Sequence, residues 1–536
     1  MSSLTTPFMM PKVEEVIPNN SLLKDRVTSS SVVEERYTAS QVPSSGDTYG
    51  VGGSATKLMI IRVANQNDYI DTSTMVLNFK AQALGAGDAA ATPDVAIDDH
   101  IFSLVDTINV KVGGQTVEVL NNVGHLVNGL LQASMPIQYY KQNGGFEGCY
   151  IYNRWNDISG AVGVPALTNS SAAPDHTGSF ALDARWVVGN RWLTNGRYYS
   201  VPLTLLGLCR LPTLFAARNF QDITLEILFK NSVNSACWQL NPIAASSTWA
   251  NTPTNYIKIS DVTLTYDCCR MSADYYALMD NELKMPNGSG VAYAIDTYQV
   301  QPASISAGSS VGAGAVAPAP YLTRIVVAKG TRFLKSVYGL TQPTVAESSP
   351  NWRNNSQHGN FSFGSYQVVI NSKRYPQLQI QSSAAAFQEL QKAYNQLGSI
   401  AAGNLLSWFT FVGQPFERLN NGAVVAGSRN IQDQVATSTK DGTSLGAFPS
   451  DEAMFQVGVN LEQFLTNQPD AGGINTSTSG YQIAVELAVN GYTGPYGGAA
   501  GATASTALTA NALTHYVVLH FTRILTLKAG AVEILD

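Results

Sequence analysis

INSKRYPQLQIQSSAAAFQELQKAYNQLG, Ile370 to Gly398, begins as a strand, turns within a few residues and ends as a helix. SYQVVI (Ser365 to Ile370) leads in, Asn371-Ser372 makes the turn, KRYPQLQI runs back, and Gln381-Ser382-Ser383 breaks the pattern before the helix. Within that helix Phe387, Leu390, Tyr394 and Leu397 recur every three or four residues, the period of one amphipathic face. Ser382 or Ser383 is placed to cap the helix N-terminus, and Gly398 to end it as a C′ residue. Lys373, Arg374 and Tyr375 read as a turn and packing corner, not as a ligand site.

The same order of elements occurs earlier in the chain. INVKVGGQTVEVLNNVGHLVNGLLQA (Ile108 to Ala133) reads strand, Gly-Gly turn, strand, polar break, helix, with Leu126, Val127, Leu130 and Leu131 clustered on one helical face. Aligning Val112 with Ile370 gives an offset of 258 residues, close to half of the 536. A supersecondary pattern repeated at half-chain spacing predicts a duplicated β-domain.

Strand patterns fill the rest. LMIIRV (58–63), TMVLNF (74–79), DITLEILF (222–229) and DVTLTYD (261–267) precede the linker-like QPASISAGSSVGAGAVAPAPY (301–321), which carries no charge and cannot build a core. TRIVVAK, RFLKSVYGL, LLSWFTFV, FQVGVNL, YQIAVELAV and HYVVLHFTRILTLKAGAVEIL follow it. In DITLEILF the residues Ile223, Leu225, Ile227 and Phe229 alternate with polar partners, as in a half-buried strand. The expected organisation is an all-β chain with an N-terminal arm at 1–55, a first β-domain at 56–300, a linker or loop at 301–321 and a second β-domain at 322–536.

Composition narrows the function. Charged residues are only 13% of the chain against 45% hydrophobic, about half the usual charged share. A surface built of Ser, Thr, Asn, Gln and Gly repels its own copies weakly, which favours assembly. A net charge of −6 and a pI near 5.6 argue against a chain that neutralises phosphates. The first forty residues hold four basic side chains (Lys12, Lys24, Arg26, Arg36) and five acidic ones (Glu14, Glu15, Asp25, Glu34, Glu35), so no nucleic-acid arm is visible. Cys149, Cys209, Cys237, Cys268 and Cys269 lack metal spacing, and an odd count does not suggest a disulfide framework. They read as free, mostly buried thiols. With neither a signal-peptide core nor a membrane-length apolar run, the expectation is a soluble protein made in the cytosol.

Motifs that imitate catalytic sites fail on context. Gly308-Ser309-Ser310-Val311-Gly312 fits the nucleophile-elbow formula but lies in the uncharged linker, with no apolar strand before it and no helix after. Gly312 to Ala317 and Gly85 to Ala90 imitate dinucleotide loops but run into prolines, so neither opens a helix. Of the six histidines (His100, His125, His176, His358, His515, His520), His515 and His520 stand an odd number apart on a strand and point to opposite faces. His125, at the start of the first repeated helix, reads as a packing or surface residue. No catalytic, cofactor-binding or metal-ligating residues are assigned, no cofactor is expected, and nothing marks the chain as an enzyme.

Several segments, in order, resemble the double jelly-roll major capsid proteins of icosahedral double-stranded DNA viruses, most closely those of virophages and polinton-like viruses. They are DTINVKVGGQTVEVLNNVGHLVNGLLQA, YYSVPLTLLGLCRLPTLFAARNFQDITLEILF with Pro202 and Leu203, TRFLKSVYGLTQ followed by VVINSKRYPQLQIQSSAAAFQELQKAYNQLG with Tyr375-Pro376, and HYVVLHFTRILTLKAGAVEIL. Together they cover about a third of the chain. The resemblance implies two consecutive antiparallel jelly-roll sandwiches with short inserted helices. It further implies homotrimeric pseudo-hexagonal capsomers that self-assemble into a virion shell inside the host cell. The expected partners are the chain itself, neighbouring capsomers, penton and minor capsid proteins and, where one exists, an inner membrane, with no sequence-specific nucleic-acid binding. The alternatives are the capsid protein of a small single-stranded RNA or DNA virus, for which a basic arm is missing, and a two-domain carbohydrate-binding or adhesion protein, for which a secretion signal is missing.

Overall fold

The structure is a computed structural model that describes residues 33–131, 196–239, 256–306, 321–344, 358–394 and 455–535, with breaks inside these ranges, and isolated pieces between them. Among the described residues sixteen strands frame two sandwiches, and two short ones, Tyr49–Gly52 and Ala531–Leu535, add to one sheet of each. The first holds β1 (Val33–Gln41), β2 (Leu58–Val63), β3 (Tyr69–Leu84), β4 (Val105–Val112), β5 (Gln115–Asn121), β6 (Arg197–Pro202), β7 (Ile223–Phe229) and β8 (Tyr256–Met271). The second holds β9 (Val291–Ile305), β10 (Tyr321–Val327), β11 (Leu334–Pro343), β12 (Ser365–Ile370), β13 (Lys373–Ile380), β14 (Gln456–Asn460), β15 (Ile483–Val489) and β16 (Leu513–Lys528).

The first sandwich has sheet orders β1-β8-β3-β6 and β2-β7-β4-β5; the second has β9-β16-β11-β14 and β10-β15-β12-β13. Adding eight to every label converts the first pair of orders into the second. All these pairings are antiparallel, and each set of eight strands has the jelly-roll order. The chain is a double jelly roll. Alternate strand residues fill each interior, among them Met59, Leu77, Ile108 and Ile227 in the first and Val337, Val368, Val485 and Phe521 in the second.

The stretch from Ile370 lies where the repeat placed it. Val112 and Ile370 are the last residues of β4 and β12. Each enters a two-residue loop with positive φ at both positions: Gly113 at 55° and Gly114 at 79°, Asn371 at 46° and Ser372 at 68°. That geometry matches the right-handed twist of the flanking strands. After β5 comes a single helical stretch, His125–Leu131, in which Leu126, Val127 and Leu130 are buried. After β13 comes α2 (Ser383–Ala393), capped by Ser382, whose hydroxyl accepts from Ala385 N at 3.2 Å; α1 (Ala273–Lys284) joins the two sandwiches. Helix α2 ends at Ala393 with Tyr394 as its C-cap, and Gly398 lies outside the described residues.

Sheet membership redraws two of the expected boundaries. β1 lies within the arm assigned to 1–55, yet it pairs along β8, with Tyr37 opposite Cys268 and Gln41 opposite Leu264. Its sequence VEERYTASQ is polar because the strand is a sheet edge on which only Val33, Tyr37, Ala39 and Gln41 are half-buried. At the other boundary, residues 301–305 of the expected linker are the end of β9 and pair with Leu513–Val517. Pro302 and Ser304 are exposed there, so a linker-like composition is compatible with a strand that has reached the surface. The second sandwich accordingly begins at Val291.

Candidate functional site

Where the two sandwiches meet, the chain commits polar and charged side chains to burial. Strand β5 of the first sandwich, with residues 203–220 after β6, packs on β9 and β16 of the second. Glu118, on β5, is fully buried. Its two carboxylate oxygens each lie 3.0 Å from Gly207 N, and Thr297 of β9 donates its hydroxyl to Oε1 at 2.7 Å. Burial raises the Glu118 pKa, while the Gly207 N–H, the Thr297 hydroxyl and the Arg210 charge pull against the rise. Gly207 has to be glycine, because a Cβ there would lie 2.1 Å from Asp296 O and 2.7 Å from Ile295 Cγ2.

Further cross-links border Glu118. Arg210 donates to Asp296 O at 2.6 Å and covers the Tyr298 ring at 5.5 Å. Arg523 of β16 donates to Val117 O at 2.6 Å. Tyr293 accepts from Ala216 N at 2.8 Å and donates to Leu214 O at 3.1 Å, while its ring packs on Phe215 and Phe220. Asp296 receives Lys335 Nζ at 2.7 Å and Thr522 Oγ1 at 2.5 Å. Burial alone would raise the Asp296 carboxyl, but His520, Lys335 and Thr522 outweigh it and hold the pKa below its ordinary value. Leaving a buried polar group without its hydrogen-bond partner costs about 1–3 kcal/mol, so the contacts that cross the junction hold the two sandwiches in one register.

Histidines gather at the same junction. His125 stacks on Tyr516 with ring centroids 4.1 Å apart, and His358 is 5.9 Å from His125. His515 points into the second sandwich, where Thr341 Oγ1 lies 2.7 Å from its Nδ1. His520 points to the other face, stacked on Tyr298 at 4.6 Å and 3.2 Å from Ser336 Oγ. Opposite orientation is what the odd spacing requires. Burial lowers His515 and His520 to about 3 and takes His125 well below its ordinary value. His125 is thus a packing residue; sequence reading did not foresee that it packs against the other sandwich. His100 accepts from Phe102 N through Nδ1, and His176 lies outside the described residues.

Among the described residues no three His, Cys, Asp or Glu side chains are disposed to hold a metal ion. The Gly308 to Gly312 and Gly312 to Ala317 motifs and the strand pattern at 405–410 lie outside the described residues. In Gly85 to Ala90, Asp88 accepts from the Tyr256 hydroxyl. Cys209, Cys268 and Cys269 are buried and form no disulfide. No helix among the described residues is long and apolar enough to cross a membrane. Large apolar side chains exposed among those residues include Val42, Leu58, Leu228, Leu322, Val326 and Leu378; the aromatic ones are Tyr198 and Tyr481, on different sandwiches. They form no aromatic cluster of the kind that would stack on a sugar.

No family model matches the chain, and no curated protein sequence matches it. Solved structures do. A chain of the cryo-EM structure of the Sputnik virophage aligns over 95% of this chain and 89% of its own, at 11% identity and a TM-score of 0.52. The mavirus major capsid protein aligns over 100% and 96% at 10% identity with a TM-score of 0.49, and the Faustovirus major capsid protein over 94% and 92% at 9% with 0.49. At such identities the likeness is one of fold: a double jelly roll spanning nearly the whole of both chains.

Proposed function

We propose that this protein is the major capsid protein of an icosahedral virus, a structural chain without enzymatic activity that forms homotrimeric capsomers and tiles them into a shell. The observation that carries the reading is the repeat of one jelly roll, strand for strand, within a chain whose two copies are welded by a buried polar seam. Three such chains supply six similar sandwiches, enough for a pseudo-hexagonal building block from one gene product. The fold shared with a virophage chain over 95% of the sequence supports this assignment, as does the low charge density of the surface.

The work of such a protein is the burial of subunit surface. Obligate interfaces commonly bury more than about 2,000 Å², so trimers would persist far below the concentration at which shells form. Contacts with penton and minor capsid proteins, and assembly inside the host cell, belong to the same proposal. The test is light scattering coupled to size exclusion on the purified chain, followed by negative-stain imaging. A trimer with pseudo-hexagonal outline is the expected result, and a stable monomer at micromolar concentration that never forms shells would rule the assignment out.

A further inference from the structure

Beside the carboxylate seam, the two sandwiches meet along the helical stretch His125–Leu131, which lies against β11, β16 and the end of α2. The fit is close. A Cβ on Gly129 would lie 2.6 Å from His358 Cε1 and 2.8 Å from Leu340 Cδ1, and the Tyr394 hydroxyl donates to Leu130 O at 3.1 Å. His358 belongs to the second sandwich, where its carbonyl accepts from Phe455 N at 3.0 Å. The ring of His125 stacks on Tyr516 and meets His358 edge-on, and all three residues are buried.

This contact suits a neutral imidazole. His125 Nδ1 is buried and makes no hydrogen bond among the described residues. In the neutral ring it can be the nitrogen without a proton. In the imidazolium both nitrogens carry protons, so Nδ1 would become a buried donor with no acceptor. Water can supply one only where the helical stretch lifts off the second sandwich.

The charges around the ring point the same way. Its own stretch, HLVNGLL, holds no other titratable group, and neither does Ile101–Leu104, which packs on it. Lys230, from the segment after β7, and His358, from the second sandwich, both oppose a positive charge on His125; Tyr516 is neutral. Among the described residues no carboxylate supports one. The seam carboxylates are engaged elsewhere: Glu118 with Gly207, Thr297 and Arg210, and Asp296 with Lys335, Thr522 and His520.

We propose that His125 is an acid sensor: on taking up a proton it leaves Tyr516 and His358, and the helical stretch His125–Leu131 parts from the second sandwich while each sandwich stays folded. Buried histidines at an interface are suited to such a switch. The release goes beyond the capsomer reading and holds for the chain whether or not it assembles. Its size follows from linkage. Burial holds the closed form unprotonated, and the open form takes up a proton near pH 6.5, so the opening equilibrium should rise about ten-fold between about pH 7.5 and about pH 5.5.

Hydrogen exchange followed by mass spectrometry on the full chain, at those two pH values and corrected for the intrinsic pH dependence of exchange, tests this. Amides of residues 122–131 should exchange ahead of those of β3 and β8 at both pH values, and about ten-fold faster at the lower one. His125→Phe keeps an aromatic ring on Tyr516 but cannot titrate, and is expected to remove the rise. His515→Gln alters a histidine inside the second sandwich, which stays closed in this opening, and is expected to retain it. A rise that survives His125→Phe, or that His515→Gln abolishes, overturns the proposal. So does equal exchange of residues 122–131 at the two pH values in the wild-type chain, a comparison that stands even if His125→Phe does not fold.

Discussion

Acidification should weaken this fold through histidines that the structure keeps neutral, and His515 allows the effect to be sized. Its ring is fully buried in the second sandwich, and burial lowers its pKa to about 3. The unfolded chain binds a proton there below about pH 6.5. A base whose folded pKa is depressed contributes stability that is complete above the unfolded pKa and is lost as pH falls from there toward the folded value. Between about pH 6.5 and pH 5 the loss is about 2 kcal/mol from this one residue. His125, packed between Tyr516 and His358 with the Lys230 charge nearby, is lowered in the same direction by burial. Glu118 opposes them: its raised pKa favours the protonated carboxyl in the fold, so it adds stability as pH drops through its folded value. His515→Gln separates these contributions. Urea titrations at one fixed protein concentration, at about pH 7 and about pH 5, should show the variant losing about 2 kcal/mol less than wild type on acidification. An equal loss in both proteins would mean that His515 titrates normally in the fold, and the burial argument would be refuted.

Other perturbations address single contacts. Thr297→Val keeps the shape of β9 but removes the hydroxyl that donates to Glu118 at 2.7 Å, and should cost about 2 kcal/mol at neutral pH. The penalty should shrink in acid, where the carboxyl no longer needs that donor, and chemical denaturation at two pH values reads both effects. Gly113→Ala should cost more than Gly114→Ala. Both positions have positive φ, but a Cβ at Gly113 would meet Phe220 O at 3.0 Å whereas at Gly114 it meets nothing within 4 Å. The shared backbone penalty is about 1 kcal/mol, and thermal melts should resolve the excess at Gly113. Finally, a chain starting at residue 33 retains β1, and one starting at residue 46 lacks it; limited proteolysis should find the second far more open along β8.

The parts of this fold that were legible in the sequence are those whose information is local. A two-residue turn between short strands, followed by a capped helix, is spelled out within about thirty contiguous residues, and its recurrence 258 positions away exposed the duplication. The edge strand β1 was not legible, because only every second residue is half-buried and the partner that shapes it, β8, lies over 200 residues on. The end of β9 was missed for a similar reason: it is held by pairing to β16, not by its own apolar content. The seam left no trace at all. Glu118 on β5, Gly207 after β6, Asp296 and Thr297 on β9 and Lys335 on β11 are scattered over more than 200 residues, so no spacing rule could unite them.

Duplication followed by divergence explains where these silent residues lie. Two identical sandwiches would offer identical edges, and a chain of identical edges has no means of distinguishing an internal contact from one with a neighbour. In this chain the internal copy carries a buried carboxylate, at Glu118, opposite Val110 and held by a hydroxyl from the other sandwich, whereas the matching place on β13, opposite Val368, holds the half-buried Tyr375. A buried charge with all its partners supplied by one chain can be satisfied as that chain folds. The polar seam therefore belongs to folding, and raising salt should loosen the proposed contacts between chains before it affects the junction between sandwiches.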